Sequence, residues 1–331
     1  MFEYTQAQFN QRYQSIKQKI TLGMYSNAAP TAYILGGQPG AGKSSLQAFI
    51  MKSNPNCIVI NADAFRTRHP YFNEIQKMYG TDSPKYTQPF INQVTEQLID
   101  ELSTESYNLI IEGTLRTATV PLNTCLALKN KGYRVELHVI AVKRAISYES
   151  TLLRYELAIQ QGEIPRATAK DHHDMVADAI ADNLDVIFES KAFDDIRLFD
   201  REGKCLYSTA NRDLPSKTER TVLDGEWSRY EKNQLEEIVT AVRELKQARN
   251  AADYDSYVLR TDALLSSVTV PYVYLSVTKE QAECLRQNGI AFEGKLSDNG
   301  ARTIRISAAD RPRAEQVLAL NAAGAGIKKY F

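Results

Sequence analysis

The stretch Thr31 to Ser45, TAYILGGQPGAGKSS, constrains this chain more than any other. An apolar run, Ala32-Tyr33-Ile34-Leu35, reads as a buried strand, and a helical pattern with Leu46, Phe49 and Ile50 on one face follows Ser45. Between them Gly37, Gly42, Lys43 and Ser44 occupy every fixed position of the P-loop pattern G-x-x-x-x-G-K-[ST]. A backbone that wraps a polyphosphate turns its N–H groups inward, which needs the positive φ values that glycine adopts at little cost. The following helix adds the positive end of its dipole. The segment Gly37, Gln38, Pro39, Gly40, Ala41, Gly42, Lys43, Ser44 and Ser45 is therefore the expected nucleotide cradle. Lys43 would reach the β- and γ-phosphates, and the Ser44 hydroxyl would ligate Mg²⁺.

The pattern around this segment is one of alternation. A helix is expected over residues 5–22, from Phe9, Tyr13, Ile16 and Ile20, and strands at Cys57–Ile60, Tyr107–Ile111 and Tyr133–Val142. Helices are expected over Pro89–Leu102, Leu122–Lys131, residues 144–161 and His172–Ile187. Residues 66–89, broken by His69-Pro70, Gly80 and Pro84, read as irregular. A hairpin, Ile196–Phe199 and Cys205–Tyr207 around Arg201-Glu202-Gly203, closes the unit. Such alternation implies βαβ crossovers and a mainly parallel sheet flanked by helices, with ligands beyond the carboxyl ends of the strands. Three polar groups fall there: the P-loop, Asp63 and the run Glu112 to Arg116.

Lys plus Arg equals Asp plus Glu at 40 each, so no general attraction to nucleic acid or to an anionic membrane is expected. No stretch approaches the ~18 apolar residues of a spanning helix, and the first residues lack the apolar core of a signal peptide. A cytoplasmic location follows as the expectation. Cys57, Cys125, Cys205 and Cys284 are isolated and read as buried thiols.

With these residues in place, the chain resembles the zeta-toxin family of P-loop kinases from about residue 5 to residue 210. The resemblance rests on GQPGAGKSSL, INADAFRTRHP, IEGTLRT, RYE followed by PRATAK, and DIRLFDREGKCLYS, in matching order and separation. It implies a kinase that uses ATP or GTP with Mg²⁺ to phosphorylate the 3′-hydroxyl of UDP-N-acetylglucosamine or a related UDP-sugar. Such kinases act as toxins against cell-wall synthesis and are blocked by a small helical antitoxin. By motif position Asp63 is similar to the family's base; its other reading is a Walker-B acid on Mg²⁺ through water. Glu112 and Thr114 resemble a substrate-binding pair, with Glu96 a further sugar-side contact, and Glu112 is also a candidate for the outer shell of Mg²⁺. Arg154 and Arg166 resemble lid arginines, whose planar forks suit phosphate oxygens. Arg116 is open between substrate phosphate and an ion pair, and His69 reads as structural.

Two departures matter. The segment YELAIQQGEIP between the lid arginines differs in composition, and residues 215–331 have no counterpart in the resemblance. Family relatives also differ in acceptor, so a dinucleotide is the alternative substrate. A nucleotide-binding regulator without turnover is the alternative of another class. The expected organisation is a kinase domain at 1–213 and a small α+β part at 214–331, in which 215–223 is a polar linker. A long helix marked by Trp227, Tyr230, Leu235, Ile238, Val239, Val242 and Leu245 comes next, then a helix over Tyr254–Leu265 and a β-α-β-β-α unit. This third of the chain reads as an interaction or delivery module that the chemistry can do without.

Overall fold

The computed structural model describes residues 2–268, 272–293, 302–307 and 310–322. It divides into two compact units, residues 1–254 and 255–331.

In the first unit, α1 (Gln6–Thr21) opens with a capping box, Thr5 and Gln8 satisfying each other's backbone N–H groups. Then come β1 (Thr31–Gly36), α2 (Lys43–Ser53), β2 (Cys57–Ile60), α3 (Phe72–Tyr79), α4 (Ser83–Thr104), β3 (Asn108–Glu112), α5 (Thr119–Asn130) and β4 (Arg134–Ile140). After β4 follow α6 (Arg144–Gln160), α7 (Lys170–Ser190), β5 (Asp195–Phe199), β6 (Cys205–Ser208), α8 (Pro215–Asp224) and α9 (Arg229–Ala248). The sheet order is β2-β3-β1-β4-β5-β6, parallel throughout except for the antiparallel β5–β6 pair. In the central strand β4 every residue but Arg134 is buried, as a sheet covered on both faces requires. The core joins Ala32, Ile34, Ile58, Leu109, Leu137 and Leu198 of the strands to Phe9, Phe90, Val94, Val176 and Leu184 of the helices.

Residues 66–89 are not irregular. A 3₁₀ turn spans Ala62–Arg68, α3 follows, and α4 begins at Ser83 rather than Pro89. Pro84 sits in the first turn of α4, where its missing N–H has no partner to lose. Arg66 Nη1 donates to the Pro84 carbonyl at 3.0 Å and to Thr87 Oγ1 at 2.9 Å, tying the 3₁₀ turn to α4. His69 is buried, its Nδ1 accepting from the Tyr71 N–H at 3.1 Å, and it packs edge-on against Tyr4 and Phe90.

The stretch at 215–223 is a helix too, and the unit runs past residue 213. Pro215 starts α8, which packs on α7, and Pro215, Ser216, Glu219 and Leu223 form its buried face. The Ser216 N–H donates to Asp185 of α7 at 3.1 Å. α9 lies along α6, where the buried Glu156 carboxylate receives Arg249 at 2.6 and 2.9 Å and Lys246 at 3.1 Å. Cys57, Cys125 and Cys284 are buried, whereas Cys205 is exposed on the edge strand.

In the second unit α10 (Tyr254–Val268) precedes β7 (Tyr272–Val277), α11 (Lys279–Gln287), β8 (Phe292–Glu293), β9 (Arg302–Ser307) and α12 (Arg311–Ala322). Its antiparallel sheet has the order β7-β9-β8 around a core of Val277, Leu285, Ile304, Ile306 and Ala314. Residues 294–301, within the expected β-α-β-β-α unit, lie outside the described residues. Among the described residues no helix is long and apolar enough to cross a membrane.

Candidate functional site

The site begins where β1 ends. Gly37, Gly40 and Gly42 have φ of 138°, 75° and 111°. At Gly40 the absence of a side chain is obligatory, because a Cβ would stand 2.0 Å from the Ser147 carbonyl oxygen of α6. The loop is anchored from behind by Gln38, fully buried, whose Nε2 donates to the Val142 carbonyl at 3.1 Å and to Ser147 Oγ at 3.3 Å. Ser147 Oγ lies 2.9 Å from Nε2 of the buried His173 at the start of α7. From in front, Arg201 in the β5–β6 turn donates through Nε to the Ala41 carbonyl at 3.0 Å and through Nη2 to Ser150 Oγ at 2.9 Å and the Gly40 carbonyl. Burial lowers its guanidinium to about 10.

Lys43 Nζ donates to the carbonyls of Gly37 at 2.8 Å and Gln38 at 3.2 Å, closing the loop on itself. Burial pushes its ammonium down to about 8, with Glu112 and Asp63 pulling the other way and Arg154 and Arg166 adding to the fall. Asp63 lies just beyond β2, Glu112 ends β3, and Asn61 fixes both. Asn61 Oδ1 accepts from the Asp63 N–H at 3.0 Å and the Ala64 N–H at 3.3 Å, while its Nδ2 donates to Glu112 Oε2 at 2.6 Å. Asp63 receives Arg66 Nε at 2.9 Å on one oxygen and Arg166 Nη2 at 2.5 Å on the other. Burial pushes the Asp63 carboxyl up, but the two guanidiniums overcome it and hold the group below the usual carboxylate range. Burial instead wins at Glu112, whose carboxyl is raised despite Lys43. Arg154 of α6 donates to Thr168 Oγ1 at 3.4 Å, and burial, then Arg166, lowers its guanidinium.

The structure thus brings Lys43, Asp63, Glu112, Arg154 and Arg166 into one mutually interacting group. Thr114 is half-buried on the loop beyond β3, and Arg116 is exposed two residues further. Glu96 is exposed on α4. Among the described residues neither Glu96 nor Arg116 has a hydrogen bond or ion pair to that group, and Arg116 forms no ion pair at all.

A cavity of 380 Å³ is lined by Gly40 to Ser45, Glu112, Ser150, Arg154 and Arg201, together with Tyr230 and Gln234 of α9. Sequence reasoning missed Asn61, Arg66 and Arg201 as parts of the site, and it placed α9 outside the kinase. Asn61 carried a signal, since an asparagine two residues before a strand-end Asp is an Asx-turn pattern. Arg201 carried none beyond its turn.

A glycine-built phosphate loop at a helix N-terminus, with two strand-end carboxylates and two arginines gathered beyond a parallel sheet, defines a P-loop kinase. The sequence model of the family described as Zeta toxin matches residues 14–212. Toxin PezT of Streptococcus pneumoniae serotype 4 is 40% identical over 237 residues, covering 71% of this chain and 94% of the relative. Toxin zeta of Streptococcus pyogenes is 40% identical over 228 residues, covering 68% and 79%. This chain belongs to the zeta toxin family. A structure from the PezAT chromosomal toxin–antitoxin system of S. pneumoniae superposes with a TM-score of 0.68 at 36% identity, covering 74% of this chain and 98% of that one. The AvrRxo1-ORF1:ORF2 complex, at 14% identity and a TM-score of 0.51, shares the fold.

Proposed function

We propose that this kinase transfers the γ-phosphoryl of ATP or GTP to the 3′-hydroxyl of UDP-N-acetylglucosamine or a related UDP-sugar, and acts as a cytoplasmic toxin. The observation that carries the transfer is Asp63, an ionised carboxylate fixed by Asn61, Arg66 and Arg166 beside Lys43. Phosphoryl transfer through a loose transition state asks for an oriented nucleophile more than for a strong base. Asp63 accepts the acceptor hydroxyl's proton and aims its oxygen. Arg154 and Arg166 neutralise charge on the transferring group, and the loop N–H groups with Lys43 hold the remaining phosphates. Thr114, Glu96 and Arg116 are the acceptor-side contacts in this reading.

The donors present fit Mg²⁺. Among the described residues no group of three or more His, Cys, Asp or Glu could hold a metal by itself. Ser44 and Glu112 share the cavity, and hard oxygens completed by phosphates and water are what Mg²⁺ takes. Ser44 would ligate it with Glu112 in its outer shell, and bound there it would offset the charge of the phosphates. The name of the PezAT system supports a proteinaceous antitoxin for this chain as well.

The test is UDP-sugar-dependent ATP and GTP consumption by the purified chain, across a panel of UDP-sugars and dinucleotides, with the phosphorylated product identified. Lys43→Ala should abolish turnover and weaken nucleotide binding. Asp63→Asn should lower turnover by ~10²–10⁴-fold at nearly unchanged nucleotide affinity. Undiminished turnover in Asp63→Asn would remove the mechanism, and transfer to a dinucleotide alone would replace the acceptor.

A further inference from the structure

Two chemically different groups of side chains line the cavity. Lys43, Ser44, Glu112 and Arg154 suit phosphates and their metal. Arg201, Tyr230 and Gln234 make up the second group. Three of the five N–H donors of Arg201 are already occupied, Nε by the Ala41 carbonyl and Nη2 by the Gly40 carbonyl and Ser150 Oγ. What it has left for a ligand is Nη1 and the face of the guanidinium. Tyr230 fills no core: it is 49% exposed, whereas the packing stripe of α9 is Leu235, Ile238, Val239 and Val242. Burial raises the Tyr230 phenol, Glu202, Asp200 and Glu237 lie close enough to raise it further, and Arg201 opposes them. An exposed aromatic ring thus stands beside a guanidinium in the cavity wall. One turn along α9, Gln234 Nε2 lies 3.5 Å from the Tyr230 hydroxyl, so a primary amide stands beside the aromatic ring.

We infer that Tyr230, Gln234 and Arg201 form the wall that receives the purine base of the donor nucleotide. This rests on the donor reading above and extends it to recognition of the base. Aromatic rings and guanidinium planes both stack on bases without regard to identity. An amide offers one acceptor and two donors, so by turning over it meets the acceptor–donor edge of either adenine or guanine. The wall thus binds a purine and discriminates weakly between ATP and GTP. It also gives α9 a share in the kinase site, although it lies beyond the segment that the family match covers.

Titration calorimetry of the full-length protein with Mg²⁺ separates the two groups, using ATP, GTP, inorganic tripolyphosphate and UDP-N-acetylglucosamine. Tripolyphosphate carries the phosphates without a base. Tyr230→Ala should weaken ATP and GTP alike by about 10-fold, the size expected of one lost stack. It should change tripolyphosphate and UDP-N-acetylglucosamine by less than about twofold, and Tyr230→Phe should restore ATP binding. Gln234→Ala should likewise weaken both nucleotides and not tripolyphosphate. Equal losses for ATP and tripolyphosphate, no loss for either, or a loss confined to UDP-N-acetylglucosamine overturns the inference. Wild-type protein that binds tripolyphosphate as tightly as ATP overturns the base wall and leaves the phosphate site standing; wild-type protein that binds neither overturns the donor reading itself.

Discussion

Asp63 shows how little of a catalytic residue's behaviour its own chemistry decides. Its carboxyl is partly desolvated, which by itself would raise its pKa, yet Arg166 and Arg66 hold the group below the usual range. The carboxylate is therefore ionised across neutral pH, and its protonation sets an acid limb only below the usual carboxylate pKa of ~4. Removing one guanidinium shifts the balance toward burial. Arg166→Gln should move the acid limb of kcat/KM upward in pH, read from a pH–rate profile; an unmoved limb would show that Arg166 does not control the base. Arg166→Lys keeps the charge, so it should leave that limb nearly in place. Arg154→Lys and Arg166→Lys should each reduce kcat more than they raise KM, because an ammonium cannot fork between phosphate oxygens. Steady-state kinetics that show undiminished kcat in both would make them ordinary surface charges.

Elements differ in how plainly their residues announce them. The P-loop was legible because its backbone geometry demands glycine at Gly37, Gly40 and Gly42, and chemistry demands Lys43 and a hydroxyl. The strands were legible because a doubly covered sheet needs continuous apolar runs. α8 was not, because its buried face carries Ser216 and Glu219, and polar residues in a short segment read as linker. α3 and the start of α4 were hidden because His69-Pro70 and Gly80, read as loop signals, instead mark boundaries between short helices; Gly80 ends α3 at a φ of 51°. Within α8, Glu219 is an unusual occupant: both carboxylate oxygens are buried without a hydrogen-bond partner. Burial, with Asp224 adding repulsion, lifts it to about 8. An unfolded Glu titrates near ~4.3. Between these values the folded chain holds a proton that the unfolded chain releases, so stability falls as pH rises from ~4.3 toward 8 and then levels. Glu219→Gln removes the titration. Thermal melts should show a flatter pH dependence and, at pH 8, a Tm higher than wild type. Parallel Tm-against-pH curves for the two proteins would rule out a protonated Glu219.

At the scale of the whole chain, the misplaced boundary has a physical origin and an experimental consequence. A break at 213 follows from reading the sheet alone, since β6 is the last strand of the six and a polar segment comes next. The unit is completed by helices instead. α8 packs on α7, Lys143, buried after β4, donates to the Gly225 carbonyl at 2.8 Å between α8 and α9, and α9 carries Lys246 and Arg249 to the buried Glu156. The cut that respects the molecule falls after Tyr254, where the compact units divide. Toxin PezT is of comparable size, since 71% of this chain accounts for 94% of it. Truncation after Ser216 would remove α9 from α6, taking away both the partners of Glu156 and the helix packed over it, and would strip Tyr230 and Gln234 from the cavity. That fragment should be destabilised and inactive. Truncation after Tyr254 should fold with the cooperativity of the full chain and keep UDP-sugar-dependent ATP consumption within about twofold, because the second unit has a hydrophobic core of its own. Circular dichroism melts and the same turnover assay on both fragments decide the matter. An active 1–216 fragment would show that α9 has no part in the site, and an inactive, folded 1–254 fragment would show that the second unit completes it.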